Sequence, residues 1–159
     1  MATETERKFL VRPEVWAATH VQGGTELYQG YLSTDPDRTV RVRLSTGQAW
    51  ITVKGRTQDI SRLEFEYPIP VEDARQLLTL TVSQVHKTRY RVPVGAHTWD
   101  VDVFHGALSG LMLAEIELDA AEEVFEPPAW LGQEVSRDAR YYNSALSAAQ
   151  RLPDSSGEA

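Results

Sequence analysis

Like charges recur at i and i+2 along this chain, as Glu4/Glu6, Arg41/Arg43, Glu64/Glu66, Lys87/Arg89, Asp100/Asp102 and Glu115/Glu117. In an extended strand, residues two apart project from the same face. Two like charges 4 Å apart repel by about 4 kcal/mol at an effective dielectric near 20, and by far less when solvated. Faces built this way need either water or counter-charge. One chemistry uses both signs together, the gripping of a polyanion: Arg and Lys bind its oxygens, and hard divalent cations sit between those oxygens and the carboxylates.

The residues between these charges say which elements carry them. Val40, Val42 and Leu44 alternate with Arg41 and Arg43; Ile51 and Val53 with Thr52 and Lys54; Leu63, Phe65 and Tyr67 with Glu64 and Glu66. Thr88, Tyr90 and Val92 alternate with Lys87, Arg89 and Arg91; Trp99, Val101 and Val103 with Asp100 and Asp102; Ala114, Ile116 and Leu118 with Glu115, Glu117 and Asp119. Period two predicts strands with chemically distinct faces. The opening stretch through Val11 puts Glu4, Glu6 and Lys8 on one face, with Thr5, Arg7 and Phe9 on the other, and Leu27 to Ser33 reads as a further strand. Helices are expected from Pro13 through Thr19, from Pro70 to Leu80 with Glu72 and Asp73 in the first turn, and from about Arg137 to Arg151, capped by Ser136 or Asp138. The polar tail 153–159 is expected to be mobile.

These residues leave two architectures open. An antiparallel sheet could pack its apolar face on a core and leave its charged face in water. Alternatively the strands close into a barrel with the charges inward. Glu4, Glu6, Glu64, Glu66, Asp102, Glu115 and Glu117 would then share one lumen with Lys8, Arg41, Arg43, Lys54, Lys87 and Arg89. So charged a lumen is poor packing material and suits a bound polyanion with its metals.

Composition narrows the partners. With 159 residues and 42% hydrophobic content, the chain has material for one packed domain, expected over residues 1–152. Its net charge of −7 argues against broad attraction to nucleic acid or an anionic membrane. There is no cysteine, which removes thiolate metal sites and disulfides. The first residues show no long apolar run, so a cytoplasmic protein without a membrane span is expected. His20, His86, His97 and His105 lack a ligand spacing, and the four tryptophans read as packing residues. Asp100-Val101-Asp102 reads as strand alternation, and no phosphate-binding glycine loop is present.

In the order of its motifs the chain resembles the CYTH, or triphosphate tunnel metalloenzyme, superfamily. The resemblance rests on Glu4-x-Glu6-x-Lys8, Gln29-Gly30-Tyr31-Leu32, Arg41-x-Arg43, Lys54-Gly55, Arg62-x-Glu64-Phe65-Glu66, Lys87-x-Arg89-Tyr90, Asp102-Val103-Phe104 and Glu115-Ile116-Glu117, with Arg140-Tyr141-Tyr142-Asn143 near the C-terminus. It implies a mainly β fold of α+β class, an eight-stranded antiparallel tunnel with a few flanking helices. It further implies hydrolysis of inorganic triphosphate with Mg²⁺ or Mn²⁺. Lys8, Arg41, Arg43, Lys54, Lys87 and Arg89 would bind the small-molecule triphosphate. Asp102, Glu115 and Glu117 would hold one metal, and the catalytic pair Glu4 and Glu6, joined by Glu64 or Glu66, a second with its water. Nucleoside or thiamine triphosphatase, class IV type adenylyl cyclase and a non-catalytic polyphosphate binder are the alternatives. Asp100 and Arg91 extend the family pattern by one charge each. The oligomeric state is not legible in the sequence.

Overall fold

The computed structural model describes residues 2–149, 152 and 153. Nine strands follow in chain order: β1 (Thr3–Val11), β2 (Thr25–Ser33), β3 (Arg38–Ser45), β4 (Gln48–Gly55), β5 (Ser61–Ile69), β6 (Ser83–Val94), β7 (His97–Phe104), β8 (Met112–Glu117) and β9 (Leu131–Glu134). Among the described residues three α-helices accompany them, α1 (Pro13–Thr19), α2 (Val71–Leu78) and α3 (Asn143–Ala148), with 3-10 turns at Gly106–Leu108 and Ala139–Tyr141. All pairings are antiparallel, in the order β5-β4-β3-β2-β6-β7-β8-β1, and a β5–β1 pairing closes the ring into an eight-stranded barrel.

Closure is short. Among the described residues Thr3, Glu4 and Thr5 pair with β5, opposite Leu63, Arg62 and Ser61. Beyond them the same edge of β1 is taken by β9, at Phe9 and Val11. The sequence reading did not anticipate β9, because four residues around Gly132 show no alternation. Gly132 is what lets it dock: a Cβ there would stand 2.9 Å from the Leu10 carbonyl oxygen. The β6–β7 hairpin turns at Gly95, whose φ of 61° disfavours residues with a side chain.

Apolar residues fill three cores that fix where the charged faces point. Outside one wall, Phe9, Trp99, Val101, Ala114 and Ile116 pack beneath α1 and the 120–130 segment, with Trp16 and Trp130 edge-on to one another at 5.5 Å. Outside the opposite wall, Val42 and Ala49 pack under Ala74, Leu77 and Leu78 of α2. A third cluster joins Val85, Phe104 and Leu113 to Leu108, Val135, Tyr141 and Leu146, bringing α3 and the turn before it onto the barrel. The outer face of β5 has no such cover, and Leu63, Phe65 and Tyr67 remain exposed.

The helices correct several expected boundaries. Helix α2 begins after Pro70 and ends at Leu78 rather than Leu80. The long C-terminal helix expected from Arg137 is absent over 137–142, where a 3-10 turn at Ala139–Tyr141 is followed by the six residues of α3. Asp138 accepts from the Arg140 backbone N–H, a local turn that competes with helix, and Lys8 takes the Tyr141 carbonyl. The alternation through Asp119 stops with β8 at Glu117. The expected ends of the last helix, at Gln150 and Arg151, lie outside the described residues, as does the tail from 154 onward.

Candidate active site

Because alternate residues share a face, the barrel order sorts the inward charges into two arcs. Strands β7, β8, β1 and β5 are neighbours and bring Asp100, Asp102, Glu115, Glu117, Glu4, Glu6, Glu64 and Glu66 to one side. Strands β4, β3, β2 and β6 complete the ring with Lys54, Arg41, Arg43, Lys87 and Arg89. Between the arcs lies a cavity of about 170 Å³. Its lining contains every expected site residue except Lys8, Lys87 and Asp102, and adds Asp100 and Asn143.

The three exceptions are buried inside the barrel. Lys87 is 0% exposed and Asp102 1%. Asp102 accepts from Lys87 Nζ at 2.6 Å and from Arg89 Nε and Nη2 at 2.7 and 2.9 Å. Burial works against the Asp102 charge, but Arg89 and Lys87 outweigh it and hold the carboxyl down to about 2. Burial lowers Lys87 to about 7 against the pull of Asp102, so the carboxylate is the firmer of the two charges. Asp102, expected as a metal ligand, is thus committed to two cations. Lys87 also donates to Asn143 Oδ1 at 3.2 Å, and Lys8 to the Tyr141 carbonyl at 2.9 Å, tying the C-terminal segment to the lumen.

Around the cavity most charges are paired across strands. Lys54 Nζ lies 3.1 Å from Glu4 and 3.4 Å from Glu64. Arg62, quoted in the motif but not expected in the site, adds a contact to Glu4 at 3.4 Å. Burial alone would raise the Glu4 carboxyl; Lys54 and Arg62 hold it below its ordinary value. Arg41 reaches Glu66 at 3.7 Å, and Thr52 bridges the two, donating to Glu66 at 2.9 Å. Arg43 Nε donates to Gln29 Oε1 at 2.6 Å. Gln29, Thr52 and Asn143 are uncharged; Gln29 and Asn143 stood in quoted motifs without being expected in the site, and Thr52 only shared the inward face of Lys54.

The acidic arc is over-supplied with carboxylates. Burial, then Glu115 and Glu4, push Glu6 up to about 8. Burial would raise Glu115 too, but Lys8, Arg89 and Lys87 and a hydrogen bond from Glu6 hold it well below the carboxylate range. The pair therefore keeps one proton between two acids at neutral pH. Glu64 and Glu117 are also raised, chiefly by burial and then by Glu4. Among the described residues no three acidic or histidine side chains converge as a ready ligand set. The donors are nonetheless oxygens, as a hard cation requires, and a divalent ion would replace the proton that Glu6 and Glu115 now need.

The histidines stand apart from the cavity: His86 stacks on Tyr28 at 4.3 Å, and His97 pairs with Glu123 at 2.5 Å. No helix among the described residues is long and apolar enough to cross a membrane.

These strands form a closed antiparallel barrel whose lumen opposes carboxylates to arginines and lysines, a charged tunnel with oxygen donors on one side and cations on the other. The chain belongs to the CYTH family, whose domain matches residues 2–152. It is 41% identical over 148 residues to an inorganic triphosphatase of Acetivibrio thermocellus, covering 92% of this chain and 94% of that one. It is 40% identical over 150 residues to an inorganic triphosphatase of Nitrosomonas europaea, covering 91% and 96%. A crystal structure of an inorganic triphosphatase superposes with a TM-score of 0.63 at 36% identity, over 95% of this chain and 100% of the other.

Proposed function

We propose that this protein hydrolyses inorganic triphosphate to pyrophosphate and phosphate with the aid of Mg²⁺ or Mn²⁺. The observation that carries the reading is the cavity lining, in which every residue but Asn143 is an acid or a base. A nucleobase or thiamine ring would want apolar or aromatic wall, and an inorganic phosphate chain wants charge on every side. The two relatives named inorganic triphosphatase support the same substrate.

Arg41, Arg43, Lys54 and Arg89 bind phosphate oxygens, and Lys8 and Lys87 raise the potential from behind them. Glu4, Glu6, Glu115 and Glu117, with Glu64 and Glu66 beside them, would hold the divalent cations. When bound, these ions withdraw charge from the phosphate oxygens and favour deprotonation of water. Asp102 keeps Lys87 and Arg89 in place. Water attacks the terminal phosphorus in line; its oxygen bonds to phosphorus and it gives up a proton to solvent, the bond to the bridging oxygen breaks, and pyrophosphate leaves with the new charge on that oxygen offset by the arginines.

Phosphate release from tripolyphosphate, pyrophosphate, long polyphosphate, ATP and thiamine triphosphate, with and without Mg²⁺, tests this directly. Tripolyphosphate should be the fastest substrate and require the metal. Faster turnover of ATP or thiamine triphosphate would move the assignment to those substrates. Tight binding of tripolyphosphate without release under any divalent ion would make the protein a binding module.

A further inference from the structure

We propose that Gln29 is a positioning residue that presents Arg43 as an unneutralised cation, so that the β2–β3 face captures phosphate without needing a metal. This deepens the reading of the lumen as a triphosphate site and rests on it. Arg41 has Glu66 within 3.7 Å and Arg89 has Asp102 at 2.7 Å and Glu115 at 3.6 Å. Among the described residues, Arg43 is the cavity arginine with no carboxylate at ion-pair distance. Its partner is an amide: Nε donates to Gln29 Oε1 at 2.6 Å, across the directly paired positions Gln29 and Arg43.

That choice of partner matters. A carboxylate would hold the guanidinium equally well and cancel its charge; an amide oxygen orients it and leaves the charge available. Arg43 also fixes which way the amide points, since the reversed amide would set N–H against N–H. Gln29, 1% exposed, therefore keeps its Nε2 as a buried donor without an acceptor. Arg41 Nε, two residues along the same inward face of β3, is a second. Buried donors are ordinarily satisfied. Arg43 lines the cavity and Gln29 does not, so a phosphate oxyanion in the cavity meets the Arg43 guanidinium, and Gln29 acts through it. Burial and the like charges of Arg41 and Arg89 disfavour the charge on Arg43, a penalty an arriving anion relieves.

The test measures tripolyphosphate binding by calorimetry in chelator, where turnover plays no part, alongside steady-state phosphate release in Mg²⁺. Gln29→Glu should weaken metal-free binding by roughly 10- to 100-fold, because it neutralises Arg43 without displacing it. In an Arg43→Gln background the same change should cost much less. Gln29→Ala, which needs no new buried charge to fold, should raise KM severalfold and leave kcat at saturation within about twofold, since Gln29 acts on binding through Arg43. Asparagine, being too short to reach, should not rescue it.

Wild-type affinity in Gln29→Glu, an equal penalty with and without Arg43, or an unchanged KM in Gln29→Ala would overturn the proposal. So would the absence of metal-free tripolyphosphate binding by the wild type. Loss of phosphate release by the wild type alone would instead remove the hydrolase assignment and leave the binding result to be judged separately.

Discussion

The acidic and basic arcs of the lumen handle the same problem, charge taken out of water, in different ways. Cations of the basic arc reach across to carboxylates or a neutral partner: Lys54 to Glu4 and Glu64, Arg41 to Glu66, Arg89 to Asp102, Arg43 to Gln29. The acidic arc has more carboxylates than those cations satisfy, so Glu6 retains a proton up to about pH 8 beside an ionised Glu115. One arc is short of an anion at Arg43, and the other is short of a cation at Glu6 and Glu115. A phosphate chain carrying divalent metal, the substrate proposed above, would complete both. The difference teaches that the arcs are separable by experiment: the basic arc should govern affinity, and the acidic arc should govern metal-dependent turnover.

The largest effect should come from taking the metal away. Chelation is expected to reduce phosphate release from tripolyphosphate by on the order of 1,000-fold while binding on the basic arc persists. Glu115→Gln and Glu117→Gln should move in the same direction at limiting Mg²⁺. Undiminished release in both variants would mean that the acidic arc does not serve the metal.

Next in size is the buried join between the arcs. Asp102→Asn takes from Lys87 the carboxylate it pairs with and leaves Arg89 only the longer contacts to Asp100 and Glu115, and should cost about 3–5 kcal/mol of stability in a urea melt. A wild-type midpoint would show that the two cations find another partner. Arg41→Ala tests the basic arc alone. Losing a charge-assisted contact of about 1.5–3 kcal/mol should weaken tripolyphosphate binding roughly 10- to 100-fold, with a smaller change in kcat. A change confined to kcat would reverse the roles assigned to the arcs.

A subtler expectation concerns pH. Glu6 keeps its proton in the fold to about 8, whereas the unfolded chain releases it near 4.5. The native state therefore binds more protons across that window, and this group's contribution to stability falls as pH rises through it. Glu6→Gln should raise Tm at pH 8 relative to wild type and raise it less at pH 5. An equal shift at both values would show that Glu6 does not hold its proton as described.

The smallest effect should lie outside the barrel. Arg7 pairs with Glu134 at 2.6 Å and stacks on Phe9 and Phe125, partly exposed on the outer face of β1. Arg7→Ala should cost about 1 kcal/mol or less and leave KM unchanged. A change in KM would mean that the outer wall and the lumen communicate.

The sequence by itself determined the strands and the two faces of each, because period-two alternation survives whatever the strand is packed against. It could therefore pair Arg41 with Arg43 and Glu115 with Glu117 on single faces, and put Arg7 and Phe9 on the face opposite Lys8. It could not show which strands become neighbours. β1 and β5 lie far apart in the chain; β1 meets β8 through its own pairing, with Glu6 opposite Glu117, and the three-residue pairing that closes the ring is what joins Glu64 and Glu66 of β5 to them. Depth was equally hidden: Asp102 reads like Glu115 in one dimension, yet two cations converge on it inside the barrel while Glu115 lines the cavity. Neutral partners such as Gln29, Thr52 and Asn143 left little charge pattern to find, since a hydrogen bond across strands depends on register. The C-terminal helix was overread for the same reason. Its residues carry helical spacing, but the Tyr141 carbonyl is held by Lys8 from the first strand, and tertiary contact decided the local structure there.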